Sequence, residues 1–170
     1  MNKKTKEPQY QDLINIRSNI GLAKLGLMTN QIWHDDPRRL SFVLARYKFV
    51  SKMLSGKEAV LEVGCGDSFG SRIVLQEVKS LVAIDFDPIF VNDVNKRMTD
   101  KWKYKCLEHD IISGPVIGNF DSAFSLDVLE HISLENENKY IENISKSLDS
   151  KGVFITGTPS IYSQKFASKQ

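Results

Sequence analysis

A short apolar run that breaks into glycines constrains this 170-residue chain more than any other feature. Ala59-Val60-Leu61-Glu62-Val63 leads directly into Gly64-Cys65-Gly66-Asp67-Ser68-Phe69-Gly70, and a helical stretch opens at Ser71. A second apolar run, Leu81-Val82-Ala83-Ile84, then ends at Asp85. Strand, glycine turn, helix, strand and terminal acid make up the unit that binds a ligand at the carboxyl ends of a doubly wound parallel sheet. Gly64 permits the tight turn. Gly66 leaves no Cβ between backbone and ligand, and Gly70 lets the helix pack closely.

The rest of the chain repeats this alternation. Pro88 opens a helix with Phe90, Val91 and Val94 inward. Tyr104 to Glu108 and Phe120 to Leu126 read as strands. Ser133 is expected to cap a helix carrying Tyr140, Ile141, Ile144 and Leu148, and Gly152 to Thr156 reads as a fifth strand. Apolar strands alternating with helices predict an α/β, Rossmann-like, doubly wound and mostly parallel sheet covered on both faces. Before it, Tyr10 to about Gly26 is weakly helical, and Trp33-His34-Asp35-Asp36-Pro37 breaks the pattern. Asp36 followed by Pro37 is a helix start, and that helix runs to about Leu54 with Leu40, Val43, Leu44, Tyr47, Val50 and Leu54 on one face. The expected organisation is an N-terminal helical extension over 1–56 and a ligand-binding domain over 57–170.

Composition excludes several classes. At 41% hydrophobic and 26% charged the chain is an ordinary globular sequence, and no apolar run approaches the ~18 residues of a membrane span. The basic start lacks the apolar segment of a secretory signal, and Cys65 and Cys106 form no closely spaced pair, so reduced thiols in a cytoplasmic protein are expected. Residues 1–57 hold eleven Lys/Arg against four Asp/Glu, and 58–170 hold twelve against seventeen, about +7 and −5. The basic residues are spread out, as on a solvated helical extension, so nucleic acid is not the expected partner.

Asp85 lies 21 residues past Gly64, where an acid accepts hydrogen bonds from ribose hydroxyls. The glycines at 64, 66 and 70 are spaced one residue wider than the dinucleotide fingerprint, and Glu62 places an acid beside the loop. An acid repels a pyrophosphate and attracts an ammonium. S-adenosylmethionine (SAM) carries an ammonium, a ribose and a sulfonium. Four stretches in order, VLEVGCGDSFG (60–70), AIDFDP (83–88), FDSAFSLDVLEHI (120–132) and GVFITGTPS (152–160), resemble the class I SAM-dependent methyltransferases over about residues 57–160. The resemblance implies that Glu62, Gly64, Cys65 and Gly66 form the loop at the methionine part of SAM. It implies that Asp85 holds the ribose and that Phe86 packs on the adenine. Asp110 with Ile111 would lie near the adenine amino group, and Leu126 with Asp127 near the sulfonium. The segment from Trp33 through the 37–54 helix is similar to the N-terminal cap of bacterial methyltransferases of surface-polysaccharide and small-molecule pathways. The family fold adds two further edge strands. Ile161 to Gln170 lacks a strand pattern, so the domain is expected to lack them and to be C-terminally incomplete.

Methyl transfer to a hydroxyl requires loss of a proton. Asp127, Glu130 and His131 are expected on one face of a helical turn, with His131 as base and Asp127 beside it. Cys65 has no base partner in sequence and reads as a small loop residue. The turn also resembles the E-x-x-E-H metal cluster of ubiquinone-pathway O-methyltransferases, with Asp127 in place of the first Glu, but no metal is expected. The function implied is SAM-dependent methyl transfer to a small-molecule acceptor, an oxygen nucleophile such as a sugar or polysaccharide precursor. The alternatives are a non-catalytic SAM- or nucleoside-binding module and a nucleic-acid methyltransferase docking through the basic front. The oligomeric state is not legible.

Overall fold

A computed structural model describes residues 4–160 and 162. Ile161 and 163–170, which include most of the C-terminal stretch considered above, lie outside the described residues. After a 3-10 turn at Pro8–Tyr10 come α1 (Gln11–Asn19), α2 (Leu27–Asp35) and α3 (Pro37–Met53). There follow β1 (Val60–Val63), α4 (Ser71–Leu75), β2 (Leu81–Asp85), α5 (Pro88–Arg97), β3 (Lys105–Glu108), β4 (Phe120–Leu126), α6 (Glu137–Ser147) and β5 (Leu148–Gly157). The five strands form one sheet in the order β3-β2-β1-β4-β5, and every pair is parallel. The order reverses between β1 and β4, the point beyond whose carboxyl ends a doubly wound sheet binds its ligand.

Period-two alternation assigns the strand residues to two faces. Leu61, Val63, Ile84 and Ala123 pack with Tyr140 and Ile144 of α6. Val60, Leu81 and Phe124 pack on the other face with Tyr47, Val50 and Leu54 from the α3 end of the chain, and Val91 and Val94 of α5 join Ala83 and Cys106 there. Nearly all of these side chains are fully buried, and burial of each Val, Leu, Ile or Phe among them is worth roughly 1.5–3 kcal/mol.

Several local expectations are met. Asp36 caps α3 by accepting from the Arg38 amide at 3.2 Å, with Pro37 in the first turn. Asp87 caps α5 by accepting from the Ile89 amide at 2.8 Å. Four boundaries differ. The first helix ends at Asn19, well before Gly26. The chain does not break at Trp33, because α2 continues through Trp33 and His34 to Asp35. Ser133 is not the helix cap: it receives bonds from Asn136 in a preceding turn, and α6 starts at Glu137. β5 begins at Leu148, four residues early, with an irregular register opposite Phe120–Ser122. No helix among the described residues is long and apolar enough to cross a membrane.

Candidate functional site

The crevice is built from the ends of β1, β2 and β4 and the loop after β1. Gly64 and Gly66 have φ of +72° and +51°, conformations that cost L-residues roughly 1–2 kcal/mol and glycine nothing. The Gly64 and Cys65 amides both donate to the Ile84 carbonyl at 2.9 Å, and this anchors the loop on β2. The Gly66 amide donates to Asp85 Oδ2 at 2.8 Å, while the Asp87 amide donates to Oδ1 at 3.0 Å. Asp85 therefore joins the glycine loop to the end of β2, and each oxygen keeps a lone pair for a further donor. The second half of the loop is also tied down: Arg97 donates to the Asp67 carbonyl at 2.6 Å, and the Tyr104 hydroxyl bonds Ser68 Oγ at 2.8 Å.

Around this frame the remaining candidates take different positions. Phe86, directly after Asp85, is 73% exposed and stands free of the core. Asp110 is exposed, its Oδ1 accepting from the Ile112 amide at 2.9 Å, but Ile111 is buried in the core beside Leu61 and Tyr140. Leu126 is half-buried and packs against the Tyr47–Phe124 cluster. Glu62 shares the face of Val60, so it points under α3 and α4. Its Oε1 accepts from the Tyr47 hydroxyl at 3.0 Å and its Oε2 from Ser71 Oγ. Burial, reinforced by the charges of Asp67 and Asp85, outweighs these bonds and pushes its pKa up to about 7. Cys65 is buried with its Sγ 3.9 Å from that of Cys106; this contact and burial push its thiol far above the ordinary range, which leaves it without nucleophilic character.

The end of β4 carries the polar groups able to act on a proton. Asp127 is left-handed, φ +56°, an uncommon conformation for a non-glycine residue, and its amide donates to the Gly157 carbonyl at 2.8 Å. The turn after it is 3-10, Leu129–His131, with Glu130 and His131 exposed. Burial pushes the Asp127 carboxyl above its ordinary range, while the charges of Arg46 and His131 pull it back down. Among the described residues no cluster of three His, Cys, Asp or Glu side chains could hold a metal ion, so Asp127, Glu130 and His131 are not gathered as ligands.

Three residues of the site escape the sequence reading. Arg46 of α3 pairs with Asp127 Oδ2. Asp67 caps α2 across 38 residues of sequence, its Oδ2 accepting from the Thr29 amide at 2.6 Å. Met28 of α2 lies over the loop, so that a Cβ on Gly66 would come 2.6 Å from its Sδ. Gly70 abuts the Tyr47 ring, so the close approach it permits is between α3 and α4. Only Arg46 leaves a trace in the sequence, as a charge among the apolar positions Val43, Tyr47 and Val50 of the α3 face. The other two contacts join segments that no local pattern relates.

A family model described as a methyltransferase domain matches residues 61–156. A Mycobacterium tuberculosis protein named "Probable S-adenosylmethionine-dependent methyltransferase" is 23% identical over 101 residues, 59% of this chain. The chain spans 35% of the length of the curated relatives it matches. The crystal structure of the N-methyltransferase NodS from Bradyrhizobium japonicum, in complex with S-adenosylhomocysteine, superposes with a TM-score of 0.60 at 23% identity, over 71% of this chain and 66% of that one. The sugar N-methyltransferase KedS8 from a Streptoalloteichus species superposes with a TM-score of 0.64 at 13% identity, over 86% and 59%.

Proposed function

Since the chain belongs to the class I SAM-dependent methyltransferase family, we propose that it binds SAM in the β1–β4 crevice and directs methyl transfer to a hydroxyl of a small-molecule acceptor, such as a sugar or polysaccharide precursor. The observation that carries this reading is Asp85, a buried carboxylate that holds the glycine loop through the Gly66 amide and still has acceptor capacity at the ligand's side of the sheet. The residues present fit the cofactor: two left-handed glycines turn the loop after β1, an acid stands one strand over, and an exposed aromatic follows it.

When bound, SAM supplies a methyl group on a sulfonium, whose leaving group departs neutral. The chain's own residues then have to hold, orient and deprotonate. Asp85 accepts from the ribose hydroxyls, Phe86 covers the adenine, and Asp110 faces its amino edge. The Gly64-Cys65-Gly66 loop runs along the methionine part, with Met28 and Val128 packed over its two glycines. Glu62 acts from beneath, fixing the loop through Ser71 and Tyr47. Leu126 and Asp127 close the sulfonium side, and His131, exposed at the mouth, takes the proton from the acceptor hydroxyl. Among the neighbours, NodS and KedS8 are N-methyltransferases and the latter acts on a sugar, so the acceptor atom is the part to test. Incubation with methyl-labelled SAM and a panel of nucleotide sugars and glycosides, followed by mass spectrometry of the product, is expected to place the label on oxygen. Label found only on nitrogen contradicts the hydroxyl assignment.

A further inference from the structure

We infer that the outward face of α3 is a docking surface for an anionic lipid bilayer, on which the chain lies without crossing it. The inference stands apart from the methyltransferase reading. One side of α3 belongs to the core: Tyr47 and Val50 are buried against the sheet, with Val43 packed beside them. The opposite side carries Phe42, Phe49 and Met53, which are 70%, 59% and 59% exposed. Their spacing lines them up along one stripe over most of the helix, with the exposed Ala45 between them.

Charge frames this stripe. No Asp or Glu occurs from Pro37 to Lys57, while Arg38, Arg39, Arg46, Lys48 and Lys52 all lie on α3. At about 3.6 residues per turn, Arg38, Lys48 and Lys52 fall along one side of the stripe and Arg39 and Arg46 along the other. Arg46 turns to Asp127, Arg38 pairs with Asp36 and Lys52 with Glu77. Among the described residues Arg39 and Lys48 have no ion-pair partner. The Arg38 and Lys52 pairs stand in solvent, where such pairs are weak enough to exchange for an outside anion.

An apolar stripe with long cations on both sides has the chemistry of an interfacial helix. The rings and the thioether enter the boundary between head groups and acyl chains, while the Lys and Arg stems reach lipid phosphates. A second copy docked through the same face would set these cations against their own kind. Single-stranded nucleic acid stacks its bases on aromatic rings, but Ala45 and Met53 extend the stripe with aliphatic surface that an apolar medium covers better. Phe42 stands one turn from Arg46, whose guanidinium reaches Asp127, so a bilayer docked on α3 lies beside the carboxyl end of β4.

The test is co-sedimentation of the full chain with vesicles of phosphatidylcholine alone and of phosphatidylcholine with an equal part of phosphatidylglycerol. The wild type is expected to bind the anionic vesicles, to bind the neutral ones at least about tenfold more weakly, and to be released by high salt. The double variant Phe42→Ser, Phe49→Ser is expected to lose about tenfold or more in partitioning, through lost apolar burial. Phe49→Trp keeps an interfacial aromatic and is expected to bind as wild type does. Arg39→Gln with Lys48→Gln is expected to cost about 25-fold, about fivefold for each cation. Urea unfolding at the wild-type midpoint certifies the fold of each variant, since all four side chains are exposed. Absence of binding to the anionic vesicles overturns the inference, as does wild-type binding by the folded double Phe variant. It is overturned equally by a dimer in sedimentation velocity that the Phe pair abolishes, which assigns the stripe to a second copy, or by binding to polyuridylate in place of the vesicles, which assigns it to nucleic acid.

Discussion

Replacing Glu62 by Gln isolates the energetic cost of an ionisable group beneath the glycine loop. Glu62 is 2% exposed and sandwiched between Tyr47 and Ser71. Its carboxyl titrates at about 7 in the fold against 4.5 for an ordinary glutamate. Below the lower value it is protonated in both folded and unfolded chains and costs nothing. Between the two values the folded chain keeps a proton that the unfolded chain has released, so stability falls as pH rises. At 1.36 kcal/mol per pH unit the full difference is roughly 3 kcal/mol, lost by about pH 8. Gln has no charge to bury and still offers an acceptor to one hydroxyl and a donor to the other. Urea unfolding of wild type and Glu62→Gln at half-unit steps from pH 4.5 to 8 gives the comparison. The wild type is expected to lose stability relative to the variant across this window and to run parallel to it above. Two curves parallel throughout would refute the reasoning, since they would mean that the buried carboxyl titrates as if it were in water.

Other outcomes follow from the loop and its neighbours. Gly66→Val forces a branched side chain to φ +51° against Met28, and is expected to unfold cooperatively yet bind S-adenosylhomocysteine at least about tenfold more weakly, for a strain of roughly 1–2 kcal/mol; unchanged calorimetric affinity would remove the loop from the site. Asp67→Ala removes the carboxylate that caps α2, at a cost of roughly 1 kcal/mol, and is expected to speed hydrogen exchange at the Thr29 amide; protection equal to wild type would mean that α2 needs no cap. His131→Ala is expected to lower turnover about 100-fold with cofactor affinity retained and no sensitivity to EDTA; full turnover at neutral pH would dismiss His131 as the base.

Legibility of the molecule followed the range of each interaction. β1, β2 and β4 could be read because each is an apolar run closed by a glycine or an acid, a signal contained within about seven residues. The α3 and α5 starts were legible for the same reason, Asp36 followed by Pro37 in one and Pro88 in the other. α2 was misjudged at Trp33, and the carboxylate that caps its first turn, Asp67, lies far away in sequence, where no local pattern reveals it. Glu62 was legible as an acid at the loop, but not as a buried one, since burial depends on α3 crossing over β1. Asp127 could be seen at the end of β4; its left-handed backbone and its union with Arg46 belong to tertiary packing alone.

The account depends most on the crevice between β1 and β4 being a SAM site held together by Asp85. Calorimetric titration of S-adenosylhomocysteine into wild type and Asp85→Ala tests that directly, with NAD as the competing ligand. The wild type is expected to bind S-adenosylhomocysteine and to prefer it to NAD, and Asp85→Ala to weaken it about 100-fold or more, the loss of two charge-assisted hydrogen bonds of roughly 1.5–3 kcal/mol each. Wild-type affinity in Asp85→Ala, or tighter binding of NAD, would contradict the account.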